Sequence, residues 1–426
     1  MIIHPVKSIQ GEINVPGDKS ISHRAIMLGA LSKGITNIKG FLMGEDCLST
    51  IRCFRDMGID IEVNDSLVTV NGRGLHGLKK PENELYVGNS GTTLRLMSGI
   101  LAPQDFDCII TGDDSIKSRP MKRIIDPLTK MGANIVSIES NDKAPLKIIG
   151  SKLHNITHNS LVASAQVKSC IILASLYTEN DTKIIEPVLS RNHTEIMLNY
   201  FGGNITTQGS TITSTPVKEL YAKDINIPGD ISSAAFFMVA CLITKNSQLI
   251  IKNVGINPTR DGIITVLKAM NGDISLLNER EINGELVADI KVKSSKLTGT
   301  VIDKDIIPAL IDEIPVIAVA ACFAEGKTII KDAQELKVKE SNRIETMVTE
   351  LSKMGADIIG TDDGMIISHS PNLRGATVRS YNDHRVAMSL AIAGLVAEGK
   401  TDINESECID ISFPGFYNSL QNISDL

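Results

Sequence analysis

The sequence predicts a mixed α/β (α+β) protein of two similar halves, each made of three repeated units. Two observations carry that prediction. The first is a phrase that occurs twice, "INVPGDKSISHRAIM" from Ile13 to Met27 and "INIPGDISSAAFFMV" from Ile225 to Val239, half a chain apart in 426 residues. The second is a shorter motif found five times: "FRDMGIDIEV" from Phe54, "LTKMGANIVSI" from Leu128, "LNYFGGNITT" from Leu198, "LKAMNGDISLL" from Leu267 and "LSKMGADIIG" from Leu351.

Each short motif reads as a helix end, a Gly-containing stop and an alternating strand, with Gly or Asn-Gly supplying the left-handed cap. Before the first copy, Leu48, Ile51 and Phe54 mark the apolar face of a helix behind a capping Asp46. The strands come in pairs, "IDIEV" with "LVTV", "NIVSI" with "LKIIG" and "ADIIG" with "GMIIS", and each pair predicts a hairpin. One or two copies suit any α/β protein. Five copies at spacings of roughly 70–85 residues point to duplication of one unit. A sixth is expected from the two ends of the chain, with "FYNSLQNISDL" supplying the helix and "IIHPVKSIQGEINV" the strands.

Further helices start at polar or glycine-rich sequences and continue almost wholly apolar, at Gly88, Ser164 and Asp312. Such helices are buried, and each presents free N–H groups and a partial positive charge at its N-terminus.

Composition narrows the function. Hydrophobic residues at 42% and charged residues at 22% are ordinary for a soluble globular protein. A net charge of −7 argues against a broad nucleic-acid surface, so a bound anion needs a local cluster of cations. The seven cysteines are scattered without a CxxC pair, which predicts buried reduced thiols rather than disulfides or zinc. The start "MIIHPVKSIQGE" lacks a signal-peptide core, and the longest apolar runs are too short to span a membrane. A soluble cytoplasmic protein is expected.

Against that acidic background, several helix starts carry cations. In "GDKSISHRAIM", Ser20 can cap a helix with Lys19 just before it and Arg24 one turn inside, an arrangement suited to phosphate or carboxylate. "GNSGTTLR" adds Gly88 and Gly91 for close backbone approach and Arg95 a turn later. Arg119 precedes Pro120 at an expected helix start; Lys339, Glu340 and Arg343 span one turn; His384 and Arg385 open an apolar helix. Alone, Lys19 and Arg24 read equally well as a solvated helix start, and the other stretches read first as capped or salt-bridged helix starts. The carboxylates Asp312 and Glu340 could serve as proton acceptors, and Asp312 could equally be a plain cap.

Together these stretches resemble 5-enolpyruvylshikimate-3-phosphate synthase. The matching segments are "PGDKSISHRA", "GNSGTTLR", "SRPM", "SAQVKS", "SRNHTE", "RDG", "DEIPVIAVAA", "KESNRI" and "NDHRVAM", in family order over nearly the whole length. "SAQVKS" and "SRNHTE" look like the class II bacterial branch. The resemblance implies two domains of three βαβαββ-type units each (the enolpyruvyl transferase fold, an inside-out α/β barrel), with helix N-termini facing the interdomain cleft. The repeated phrase then marks two hinges, near residues 14–18 and 226–230. It separates a domain of residues 14–227 from a discontinuous one of residues 1–13 plus 228–426. Because cations from both halves must converge on ligand, closure on binding is expected.

The implied reaction joins the 5-hydroxyl of shikimate 3-phosphate to phosphoenolpyruvate through a tetrahedral intermediate and releases phosphate. No metal or redox cofactor is implied. The partners are the two small-molecule substrates, with no nucleic acid or membrane, and a monomer is expected. The resemblance assigns shikimate 3-phosphate to Lys19, Ser20, Arg24, Ser164, Gln166, Ser190, Asp312 and Lys339. It assigns phosphoenolpyruvate to Lys19, Gly91, Arg119, Gln166, Arg343 and Arg385, with Lys339 close by. Asp312 matches the proton acceptor for the 5-hydroxyl, Glu340 a proton-transfer residue, and Lys19 a residue reaching both substrates. Ala165, His193, Glu335 and Ile411 depart from the enterobacterial pattern of serine, tyrosine, asparagine and lysine; Ile411 removes one expected cation. The sister family, UDP-N-acetylglucosamine enolpyruvyl transferase, usually carries a reactive Cys in a mobile loop, and the corresponding "GDDSIKSRPM" has none. The other rival is a non-catalytic anion-binding repeat protein. No family role falls on His23.

Overall fold

The computed structural model describes residues 1–425. By backbone contact the chain divides into two units, one of Gly17–Ile227 with Ile282–Glu285, the other of Met1–Pro16, Pro228–Glu281 and Leu286 onward. Asn14, where the sequence reading put the boundary, still pairs with Lys252 in a parallel strand of the discontinuous unit.

The continuous unit holds helices α1 (Lys19–Leu31), α2 (Glu45–Asp56), α3 (Gly91–Leu101), α4 (Asp114–Ser118), α5 (Lys122–Lys130), α6 (Ala165–Ser175) and α7 (His193–Tyr200). Helices α1, α3 and α6 are buried along almost their whole length, as the apolar residues that dominate them after their polar starts require. Each starts at a capping side chain: Asp18 accepts from the N–H of Ile21, Ser90 from Thr93 and Ser164 from Val167. Loss of such a cap typically costs about 1 kcal/mol. Two expectations change here. Asp18, not Ser20, caps α1, and Gly44, not Asp46, precedes α2 without a side-chain cap. Asp46 is instead drawn to Lys19.

Three sheets cover these helices, and all share one order: a parallel pair, then two antiparallel steps. Leu85–Tyr86 runs parallel to Cys108–Thr111, which pairs antiparallel with Leu146–Ile149, itself antiparallel to Asn134–Ser137. Thr157–Asn159, Thr182–Ile185, Thr211–Thr215 and Asn204–Gln208 repeat the pattern. So do Leu220–Tyr221, Ser32–Lys39, Leu67–Arg73 and Asp60–Asn64. The hairpins read from the sequence are present because alternation buries Ile61, Val68 and Val70, or Ile135 and Ile148, on one face.

The discontinuous unit follows the same plan with α8 (Ile231–Ile243), α9 (Gly262–Ala269), α10 (Ile307–Leu310), α11 (Ile314–Cys322), α12 (Arg343–Lys353), α13 (His384–Gly394) and α14 (Phe416–Asn422). Here α8, α11 and α13 are the buried helices. Its sheets include Ser8–Asn14 parallel to Gln248–Gly255, and Val301–Ile302 parallel to Lys327–Ile330. In the third, Thr377–Arg379 lies parallel to Thr401–Asn404, and the antiparallel partner is Ile2–Ile3 from the start of the chain. Ser8 and Ile9 likewise pair with Asp425 and Ser424. Each unit has its own hydrophobic core.

Helices α3 and α6 approach closely at Gly99, where a Cβ would lie 2.1 Å from the Cys170 carbonyl oxygen. Both groups are on the helix backbones of α3 and α6, so a methyl can be admitted only if the helices separate. Gly99→Ala is expected to destabilise by about 1–3 kcal/mol. Calorimetry should show a lowered Tm, and an unchanged Tm would mean that the helices are not in this contact.

Candidate functional site

In the continuous unit, the predicted residues gather where the first turns of α1, α3 and α6 meet. Arg24, buried in the second turn of α1, donates from Nε to Thr194 Oγ1 at 2.6 Å, from Nη2 to Ser169 Oγ at 2.9 Å and from Nη1 to the Ser20 carbonyl at 2.9 Å. Burial lowers its pKa to about 10, although Glu195 and Asp18 act to raise it. Lys19, just inside the Asp18 cap, forms an ion pair with Asp46 of α2. His23 is fully buried beside them. Burial, then Lys19 and Arg24, push its pKa well down, so it stays neutral and bonds Thr50 Oγ1 through Nδ1 at 2.7 Å.

Gly91 opens α3 with guanidinium groups against it. A Cβ there would stand 2.8 Å from Nη1 of Arg95 and 3.2 Å from Nη1 of Arg119. Arg95 donates to Gln166 Oε1 at 2.6 Å, and Gln166 Nε2 donates to Thr92 Oγ1 at 3.0 Å, tying α6 to α3. Arg119 donates to Asn89 Oδ1 at 2.6 Å and Ser115 Oγ at 3.1 Å, while its buried Nε has no hydrogen-bond partner. Arg119 lies in the turn between two helices, extended before Pro120: it is the C-cap of α4, and the helix start expected there is α5, three residues on. Ser164 caps α6, so its hydroxyl oxygen is engaged with Val167 N–H. Ser190 stands before α7, held by the buried Lys168 and Glu186.

In the discontinuous unit, Asp312, Lys339, Glu340, Arg343 and Arg385 form one cluster. Asp312 Oδ1 lies 3.4 Å from both Lys339 Nζ and Arg343 Nη1. Arg343 also binds Glu340 at 2.6 Å and Asp383 at 2.9 Å, and Arg385 Nη1 reaches the Asp312 carbonyl at 3.3 Å. Burial works against the charge on Arg343, but Asp383, Glu340 and Asp312 outweigh it and raise its pKa above the ordinary range. Asp312 does not cap α11, which begins two residues later without a side-chain cap. The adjacent Glu313 is fully buried and bound by Arg260 at 3.0 and 3.1 Å and by Ser232. Of the two neighbouring carboxylates, Asp312 is therefore the one still partly exposed.

The sequence reading missed the residues that hold this machinery: Thr194, Ser169, Lys168, Glu186, Arg260 and Asp383. A signal existed for some of them, since Lys168 is a charge inside an apolar helix and Arg260 lies in "RDG". His193 Nδ1 lies 2.7 Å from Glu285 Oε1, and Ile411 packs against the apolar core. Among the described residues no group of three or more His, Cys, Asp or Glu could hold a metal ion, and no helix is long and apolar enough to cross a membrane.

Comparison with known proteins shows the family. The family model for EPSP synthase (3-phosphoshikimate 1-carboxyvinyltransferase) matches residues 3–420. A 3-phosphoshikimate 1-carboxyvinyltransferase from Thermoanaerobacter sp. is 58% identical over 96% of this chain and 97% of its own. One from Brevibacillus brevis is 54% identical over 99% of each. The structure of EPSP synthase from Acinetobacter baumannii superposes with a TM-score of 0.90 at 45% identity, covering 99% of this chain and 97% of that one. The chain belongs to the EPSP synthase family, the two-domain enolpyruvyl transferase fold.

Proposed function

We propose that this protein transfers the enolpyruvyl group of phosphoenolpyruvate to the 5-hydroxyl of shikimate 3-phosphate, releasing phosphate. The observation that carries the reading is the Asp312 carboxylate held 3.4 Å from two cations, Lys339 and Arg343, with a second carboxylate, Glu340, on the same guanidinium. That arrangement combines a proton acceptor, a proton-transfer group and anion-holding cations in one cluster.

Asp312 takes the proton of the 5-hydroxyl as its oxygen bonds to the enol carbon, while Glu340 delivers a proton to the methylene carbon. Elimination reverses the second proton transfer: the methyl group loses a proton, the carbon–oxygen bond to phosphate breaks, and the enol ether is left on the sugar-like ring. Positive character at the enol carbon is stabilised by the carboxylates, and the departing phosphate by lysine and arginine. In the continuous unit, Lys19, Ser20, Arg24, Ser164, Gln166 and Ser190 are the proposed shikimate 3-phosphate contacts, and Lys19, Gly91, Arg119 and Gln166 the phosphoenolpyruvate contacts. In the other unit, Asp312 and Lys339 act on the first substrate and Arg343 and Arg385 on the second. A cytoplasmic monomer is part of the same proposal. The rival enolpyruvyl transferase with a reactive cysteine is not favoured, because all seven cysteines are buried. Burial raises the Cys108 thiol to about 12.

Three outcomes are expected. Incubation with both substrates should release phosphate, and Asp312→Asn should cut kcat by about a hundredfold or more; silence of the wild-type protein would sink the reading. A thiol reagent should label the native protein far more slowly than the unfolded one, and rapid native labelling would reopen the rival. Glyphosate occupies the phosphoenolpyruvate side in this family, and a methyl at Gly91 would press on Arg95 and Arg119. Gly91→Ala should therefore raise the inhibition constant, whereas an unchanged constant would place the inhibitor elsewhere.

A further inference from the structure

The turn that leads into α13 holds two successive residues with left-handed backbone, Tyr381 and Asn382, each at φ 56°. Asparagine tolerates that region. A bulky side chain there is an outlier that persists only where its surroundings over-determine it. The turn begins where the edge strand Thr377–Arg379 ends and runs to Asp383, the cap of α13. Asp383 is fully buried; its Oδ2 accepts from Arg343 Nε at 2.9 Å and from Ser341 Oγ at 3.0 Å. Its Oδ1 accepts from the N–H of Arg385 at 3.0 Å. Whatever fixes this turn therefore also fixes where Arg343 and Arg385 stand.

The group that holds it is Glu350, near the end of α12. Its side chain is 0% exposed; Oε1 accepts from the Tyr381 hydroxyl at 2.7 Å and Oε2 from the Arg379 N–H at 3.0 Å. Lys353 Nζ supplies the balancing charge, 2.8 Å from both oxygens. The Arg379 guanidinium lies over the Tyr381 ring, 5.2 Å from its centroid. The hydrogen bond to Glu350, and then burial, raise the Tyr381 pKa, so the phenol keeps the proton it donates. Arg343 begins the same helix about two turns earlier. The turn is thus pinned to α12 at two points, Tyr381 on Glu350 and Asp383 on Arg343.

We propose that Glu350 is a positioning residue: by clamping Tyr381 it holds the left-handed turn that sets Asp383 and Arg385, and so shapes the phosphoenolpyruvate side of the site without touching substrate. This rests on the reading of Arg343 and Arg385 as phosphoenolpyruvate contacts. It extends that reading to a carboxylate and a tyrosine that no step of the reaction uses.

The test sets phosphate release at varied phosphoenolpyruvate and saturating shikimate 3-phosphate beside calorimetric binding of shikimate 3-phosphate alone. Tyr381→Phe keeps the ring and removes only the hydroxyl. It should raise the KM for phosphoenolpyruvate roughly tenfold, as for one hydrogen bond to a charged group, with shikimate 3-phosphate binding within about twofold of wild type. Glu350→Gln should act in the same direction, and the double variant should be no worse than the more affected single one. Tyr381→Ala and Tyr381→Gly both lose the bond, but only glycine adopts a positive φ freely, so Tyr381→Gly should be the milder of the two. An unchanged KM in Tyr381→Phe overturns the inference. So does an equal loss for both substrates, which would mark a general disturbance of the unit, and so does a Tyr381→Gly variant no better than Tyr381→Ala. If Glu350→Gln does not fold, the tyrosine series decides alone. Absence of turnover by the wild-type protein would end the functional reading and the inference with it, whereas turnover with an unchanged KM ends the inference alone.

Discussion

Charge buried at the first turns of apolar helices must find a partner, and that requirement organises both units. Helices α1, α3 and α6 in one unit, and α8, α11 and α13 in the other, are too apolar to sit anywhere but the middle. Their starts carry the buried Arg24, Lys168 and Arg385, which would cost several kcal/mol each if unpaired, and the half-buried Arg95. The protein answers with carboxylates, hydroxyls and amides drawn from neighbouring segments, such as Glu186, Thr194 and Gln166. Within each unit the candidate site charges and the structural charges share partners.

The duplicated phrase shows how that requirement can be met in two ways. After Pro-Gly-Asp, one copy enters α1 with Lys19 and Arg24, both held by groups from other helices. The other enters α8 with serines, and Ser232 joins Glu313 and Arg260 in a buried internal cluster. The backbone cap is shared, since Asp18 and Asp230 each accept from a first-turn N–H. The first copy keeps cations at its helix start, while the second has turned its polar groups inward. His23, despite its place beside Lys19, is a neutral buried link to Thr50.

Much of this was legible in the sequence, because the signals were local. Helix-stop-strand motifs give the hairpins, and an uninterrupted apolar run such as "IPVIAVAAC" marks an interior element, here a helix. The candidate site residues were singled out through resemblance and through clustered cations in an acidic chain. What could not be read were matters of one or two residues and of long-range partnership. Asp18 and Ser20 are both good caps, and only the backbone geometry chooses between them. Arg119 lies at the end of a five-residue helix too short to announce itself. The partners of Arg24 and Lys168 come from segments far away in sequence, and no periodicity encodes such pairings.

The way the chain's first strands are used has a consequence for its birth on the ribosome. Ile2–Ile3 wait for Thr401–Asp402, and Ser8–Ile9 wait for Ser424–Asp425. Gly17–Ile227, by contrast, emerges as one uninterrupted stretch and lacks only Ile282–Glu285. Synthesis is slow compared with the folding of a domain, so the continuous unit has time to assemble during translation. The discontinuous unit must carry these strands unpaired until partners about 400 residues further along have emerged, so segments made early find their places late.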